Sequence, residues 1–167
     1  MITRSLSRDE ASSVLQALVE SKIAPRPLCE RAVEASLLIP FHHTLPPVGR
    51  GVRPLIAYFA LRSRASGITL GRQIYIRRQF FAQIGGVPLF LIAHEVAHVV
   101  QFMRDGTLAF LIDYVGQYLK NRLQGMPDRQ AYLAISHEVE ARRVETFLQS
   151  DSPPENVVDL SSRLPDR

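Results

Sequence analysis

Residues 90–102 read FLIAHEVAHVVQF. This is the most apolar stretch of the chain, yet it carries His94, Glu95, His98 and Gln101. A polar side chain buried without a partner costs free energy, so four of them in such a segment call for a shared purpose. If the segment is a helix, His94 and His98 lie one turn apart on one face and their imidazoles converge on a point. In the H-E-x-x-H arrangement the two histidines bind zinc, and the glutamate acts on a water beside the ion. A core histidine would account for one of these residues; a metal accounts for all three. Pro88 is a natural opening for the helix, which is predicted to run to about Arg104, with Gly106 as its stop signal.

A catalytic zinc site keeps three protein ligands and one open position, so a third ligand must come from elsewhere. The segment AYLAISHEVEARRVE, residues 131–145, is the best source. Glu138 has Ala134 and Ala141 as helical neighbours, and small neighbours let two helices approach closely. His137 points about 100° away, and Glu140 lies on roughly the opposite face. All three remain candidates, beside the plainer reading of a solvated amphipathic helix with i, i+4 pairs. Gln101, one turn beyond His98, is placed to hydrogen-bond a ligand or a neighbouring loop. Asp113 is a candidate to orient a ligand histidine. Tyr132 or His137 could stabilise an oxyanion. His42 and His43 read as surface loop residues, and Cys29 as a small buried one.

Outward from this centre, Ser7 and Glu10 have capping-box spacing ahead of a stripe of Val14, Leu15 and Leu18. A second helix is predicted over residues 27–38. The Pro- and Gly-rich stretch 39–54 reads as a loop or linker. GITLGRQIYIRR, residues 67–78, reads as one strand, with Ile68, Leu70, Ile74 and Ile76 on one face and Thr69, Gln73, Tyr75 and Arg77 on the other. Arg72 and Arg78 share the parity of the apolar set and therefore belong near strand ends. After the HEVAH helix, a long helix is expected from Thr107 to just before Gly125, then another from Pro127 to about Leu148. Residues 149–167 read as a tail.

The 167 residues suffice for one domain with a real core, and 46% apolar with 22% charged residues excludes a wholly disordered chain. One cysteine excludes an internal disulfide framework. No signal peptide and no apolar run long enough to span a membrane are visible, so the expectation is a cytoplasmic protein, with later export left open. The fold class read from this pattern is α+β, mainly helical, with one small sheet. Its expected divisions are an N-terminal helical region and loop (1–65), a core (66–148) and the tail (149–167). The net charge is +4, but no Asp or Glu occurs between Ala35 and His94, while seven arginines do: Arg50, Arg53, Arg62, Arg64, Arg72, Arg77 and Arg78. That imbalance is either a solvated basic face or a surface for an anionic partner.

HEVAH followed by a downstream EVEAR resembles the gluzincin class of zinc metallopeptidases. The combination of an ITLGRQIYI-like strand, LIAHEVAHVVQ and AYLAISHEVEAR is similar to small bacterial metallopeptidase-like domains of unknown function. The resemblance covers about residues 66–148. It implies a zincin-like core, Zn²⁺ held by His94, His98 and Glu138, Glu95 as general base, and a peptide or protein substrate. The chain departs from the pattern at Arg142, which stands where many gluzincins have an acid four residues after the Glu ligand. The expected function is hydrolysis of peptide bonds. The alternative is a non-catalytic binding or scaffold module stapled by zinc, with the basic segment as its interaction surface; an intact Glu95 favours the first, because a structural site needs no base.

Overall fold

Helix starts in this chain are written locally. Ser7 accepts a hydrogen bond from the Glu10 amide, and the Glu10 carboxylate accepts one from the Ser7 amide at 2.8 Å. This reciprocal cap opens α1 (Arg8–Glu20). Pro25 and Pro27 flank the first residue of α2 (Arg26–Ala35). The computed structural model describes residues 4–41, 65–82 and 85–151. Beyond α2 its elements are β1 (Leu37–Phe41), β2 (Gly67–Leu70), β3 (Gln73–Arg77), the single turn α3 (Arg78–Phe81), α4 (Leu89–Asp105), α5 (Thr107–Leu123), α6 (Asp128–Leu133) and α7 (Ser136–Asp151). The class is α+β, mainly helical, with a three-stranded mixed sheet.

Three expectations change at this level. The second helix stops at Ala35, not residue 38: Ser36 turns its hydroxyl back to the Ala32 carbonyl at 2.7 Å. Leu37 and Leu38 then enter β1, which pairs parallel with β3. Residues 39–41 of the expected loop are therefore strand; 42–64, with His42, His43 and four of the seven arginines, lie outside the described residues.

The expected single strand is a hairpin. Gly71, at φ 70°, and Arg72 form its turn, and β2 pairs antiparallel with β3. Glycine adopts a positive φ without the Cβ clash that penalises other residues. The turn shifts the parity of one arm relative to the other. Thr69 is paired with Ile74 and Ile68 with Tyr75, so Ile68 and Leu70 do not share a face with Ile74 and Ile76. Ile74, Ile76 and Leu38 face the main core, whereas Tyr75 and Ile39 form a second small cluster with Ile68 and Leu70 on the other side. Arg72 in the turn and Arg78 at the start of α3 do stand at strand ends.

Finally, the last helix is broken at Ala134–Ile135 into α6 and α7. Gln117 reaches across from α5 to cap the break, accepting from the Ser136 amide and donating to its hydroxyl, both at 2.8 Å. The break places Glu138 in the first turn of a helix, where a negative charge meets the positive end of the helix dipole.

Among the described residues the sheet order is β1-β3-β2, which makes β2 an edge there, and β2 lies against α4. α4 also packs on α1, α2 and α7, and Ile92, Val96, Val99 and Val100 give it a fully buried flank. Cys29 is buried among these apolar side chains. No helix among the described residues is long and apolar enough to cross a membrane.

Candidate metal centre

α4 and α7 face one another, and each contributes its motif to the contact. His94, His98 and Glu138 offer one donor atom each within 4.8 Å of one another. The Glu138 carboxylate is shared: Oε2 lies 3.4 Å from His94 Nε2 and Oε1 lies 3.3 Å from His98 Nε2. The imidazole rings are 5.0 Å apart and nearly perpendicular. Of the three candidate third ligands, Glu138 is the one placed here. His137 turns away, its ring edge-on to Phe110 and lying between Asp105 at 3.3 Å and Asp113 at 3.6 Å. Glu140 pairs instead with Arg104 and Gln101. Asp113, a candidate orienter of a ligand histidine, reaches His137 and Gln117 instead.

The surrounding hydrogen bonds decide which ring nitrogen carries a proton. Gln101 is wholly buried, and its amide nitrogen donates at 2.9 Å to both the His137 carbonyl and a Glu140 carboxylate oxygen. Neither partner has a proton to give, so the amide cannot be flipped. Its oxygen must face His98 Nδ1, at 2.8 Å, and that nitrogen must be the N–H. That leaves Nε2, 3.3 Å from Glu138 Oε1, as the nitrogen free either to donate to the carboxylate or, once deprotonated, to bind a metal. Glu145 stands beside His94, its Oε2 3.4 Å from Nδ1, an ion-pair contact without hydrogen-bond geometry. Glu145 is seven residues after Glu138, two turns along the same face of α7. It offers the acid that Arg142 does not; Arg142 reaches back to the Leu133 carbonyl.

Carboxylate and imidazole nitrogens therefore face each other in a buried space. Glu138 Oε2 and His94 Nδ1 are buried atoms without a hydrogen-bond partner. Burial pulls the His94 imidazole down, but Glu138 and Glu145, with Glu95 nearby, outweigh it and lift its pKa to about 10. Burial likewise works to raise the Glu138 pKa, yet the two imidazoles hold that carboxyl far below its usual range. The cluster demands a positive charge at its centre: a proton supplies it in the bare protein, and a divalent cation fits the same role. Two imidazole nitrogens and one carboxylate oxygen form a donor set suited to zinc.

Tyr114 joins the site without having been marked by any sequence motif. Its hydroxyl donates to Glu138 Oε1 at 2.6 Å, and Tyr132 reaches the same carboxylate. Burial, and then the Glu138 charge, push both phenols far above their usual pKa, so both remain donors. The signal for Tyr114 is a helical stripe of Phe110, Tyr114, Gln117 and Asn121, the inner side of α5.

Glu95 stands apart from the ligand group. It is 4% exposed, and the one proton of the Thr69 hydroxyl is shared between Glu95 Oε2, at 2.7 Å, and the Glu95 carbonyl, at 3.0 Å. The hairpin comes so close that a Cβ on Gly67 would sit 2.5 Å from Glu95 Oε1. A side chain at position 67 is thus excluded unless Glu95 moves. The β2 edge and the carboxylate form one unit. No protein-family model, no curated protein and no solved structure matches this chain.

Proposed function

We propose that the protein is a zinc-dependent peptidase of the gluzincin type, hydrolysing peptide or protein substrates with Glu95 as general base. The observation that carries this reading is the division of labour among the three acids: Glu138 is committed to the histidines, Glu145 supports His94 from outside, and Glu95 is held separately by Thr69. A site serving only to staple the fold has no use for the third. Zinc held by His94, His98 and Glu138 would supply a Lewis acid for a carbonyl oxygen and would lower the pKa of water.

The chain's own groups do the rest. Thr69 fixes the rotamer of Glu95, so the carboxylate is oriented before substrate arrives. Glu95 takes the proton of the attacking water and hands it to the departing amine. The Tyr132 hydroxyl, a donor beside Glu138, would have to turn from that carboxylate to stabilise an oxyanion on the substrate. The edge of β2 offers backbone groups to an extended peptide beside Glu95. Arg72 and Arg78, at either end of β3, add positive charge near that edge and favour acidic substrate segments, an attraction that salt screens.

The test is cleavage of a random peptide library by zinc-loaded protein, with Glu95→Gln as its control. The reading expects turnover that the substitution abolishes while the metal is retained. Cleavage surviving in Glu95→Gln, or none in the loaded wild type, supports instead the zinc-stapled binding module.

A further inference from the structure

The two oxygens of a carboxylate are chemically equal, but those of Glu138 have unequal surroundings. Oε1 accepts the Tyr114 hydroxyl at 2.6 Å. Oε2 is a buried atom with no hydrogen-bond partner among the described residues, 3.4 Å from His94 Nε2. The whole side chain is 1% exposed, so bulk water is kept from it. A buried acceptor left without a donor costs free energy. Oε2 is therefore the oxygen with both lone pairs uncommitted, and a cation held by the histidines would satisfy it.

Tyr114 is packed to stay where it is. Its ring stacks on Phe110, with centroids 5.5 Å apart and planes inclined by 29°, and Phe110 lies on Phe102 at 4.0 Å. The stack joins α4 to α5, and its two phenylalanines are buried. The phenol thus comes from the one long helix at the site that supplies no ligand. Tyr132, from α6, also reaches the Glu138 carboxylate but is 39% exposed. The two tyrosines differ in consequence: Tyr132 can turn toward a substrate, and Glu138 still keeps the donor on Oε1.

We propose that Tyr114 is a positioning residue that holds Glu138 to ligation through one oxygen, engaging Oε1 so that Oε2 alone binds zinc. The inference rests on the metal centre and not on peptidase activity. A carboxylate bound through both oxygens takes two positions on the ion. With His94 and His98 that makes four, the number of a closed structural site. Bound through one oxygen, it leaves the fourth position for water or a substrate carbonyl. On this account the hydroxyl of Tyr114 decides whether the same three ligands make a staple or an open site.

The test is the crystal structure of the zinc-loaded full chain, paired with azide titration of the Co²⁺-loaded protein by visible absorption. Azide probes the open position in solution. The wild type should show Oε2 on zinc, Oε1 on the Tyr114 hydroxyl, and a spectral change as azide binds. Tyr114→Phe keeps the ring and its stack but removes the donor; thermal unfolding checks that it folds. In that variant Oε1 should move onto the ion, and azide affinity should fall about tenfold, as for the loss of other outer partners of a ligand. Tyr132→Phe should keep ligation through one oxygen. A wild type with both Glu138 oxygens on zinc overturns the proposal with no variant needed, as does zinc bound by the Tyr114 oxygen. So does a Tyr114→Phe protein with ligation and azide affinity unchanged. These results leave the metal centre standing, whereas a wild type that takes up neither Zn²⁺ nor Co²⁺ overturns the metal centre and this inference together.

Discussion

α4 and α5 follow one another through Gly106, are 17 residues each, and are both rich in aliphatic side chains. They end up as opposites. α4 buries eleven residues, three of them polar (Glu95, His98 and Gln101), while α5 buries one and turns its leucines to solvent. Hydropathy alone does not separate them. What does is where the polar atoms find partners: those of α4 converge with those of α7 and β2, so the apolar residues around them are drawn inside with the site. The polar residues of α5 instead line its inner side, where Tyr114 and Gln117 reach Glu138 and Ser136. A helix whose polar face is inward must show its apolar face outward. Buried polar residues set α4 apart, and an exposed apolar stripe sets α5 apart.

The largest expected effect attacks the α4–β2 junction. Gly67→Ala pushes its new methyl group into the end of the flexible Glu95 side chain, the group that gives way. Peptidase turnover should fall at least about a hundredfold, the contribution of a positioned general base, with zinc content unchanged. Loss of metal in that variant would mean that Glu95 and the ligands are not separable.

Two isoleucines sharpen the comparison itself. Ile92 of α4 is 0% exposed and Ile112 of α5 is 65% exposed. Ile92→Ala should cost about 2–5 kcal/mol of stability through its cavity. Ile112→Ala should stay within about 0.5 kcal/mol. Equal costs in denaturant titrations would erase the distinction between the helices.

A smaller effect concerns the tautomer of His98. Gln101→Leu keeps the volume but leaves Nδ1 without its acceptor, and zinc affinity should fall about 10- to 100-fold. Gln101→Glu, which still offers an oxygen, should lose less. Nitrogen NMR of the imidazole should report the Nδ1–H form of His98 in the wild type and a mixture in the leucine variant. Unchanged affinity in Gln101→Leu would reduce the glutamine to packing.

How legible this is in the sequence follows the range of the interactions. Residues three or four apart on one helix are fixed by helix geometry, so the side of α4 that carries His94, His98 and Gln101 can be read directly. Glu138 can be singled out by its small neighbours, although its true setting, the first turn after a break, depends on Gln117 arriving from α5. The hairpin reads as one strand because the apolar residues keep the same parity on both sides of Gly71 and Arg72; a two-residue turn preserves that count while changing which residues are cross-strand neighbours. Leu37 and Leu38 continue a helical pattern and become strand only because β3 lies beside them. Glu145 and Tyr114 are hidden for the same reason: each is ordinary on its own helix and acquires meaning across a helix–helix contact.

The most direct test of the central claim is the zinc content of purified protein and three variants, by elemental analysis after dialysis against a weak chelator. The account expects about one zinc per chain for the wild type and for Glu95→Gln, none for His98→Ala, and a markedly weakened site for Glu138→Ala. Zinc lost in Glu95→Gln but retained in Glu138→Ala would reverse the two roles, and a wild type that binds no divalent metal would contradict the account outright.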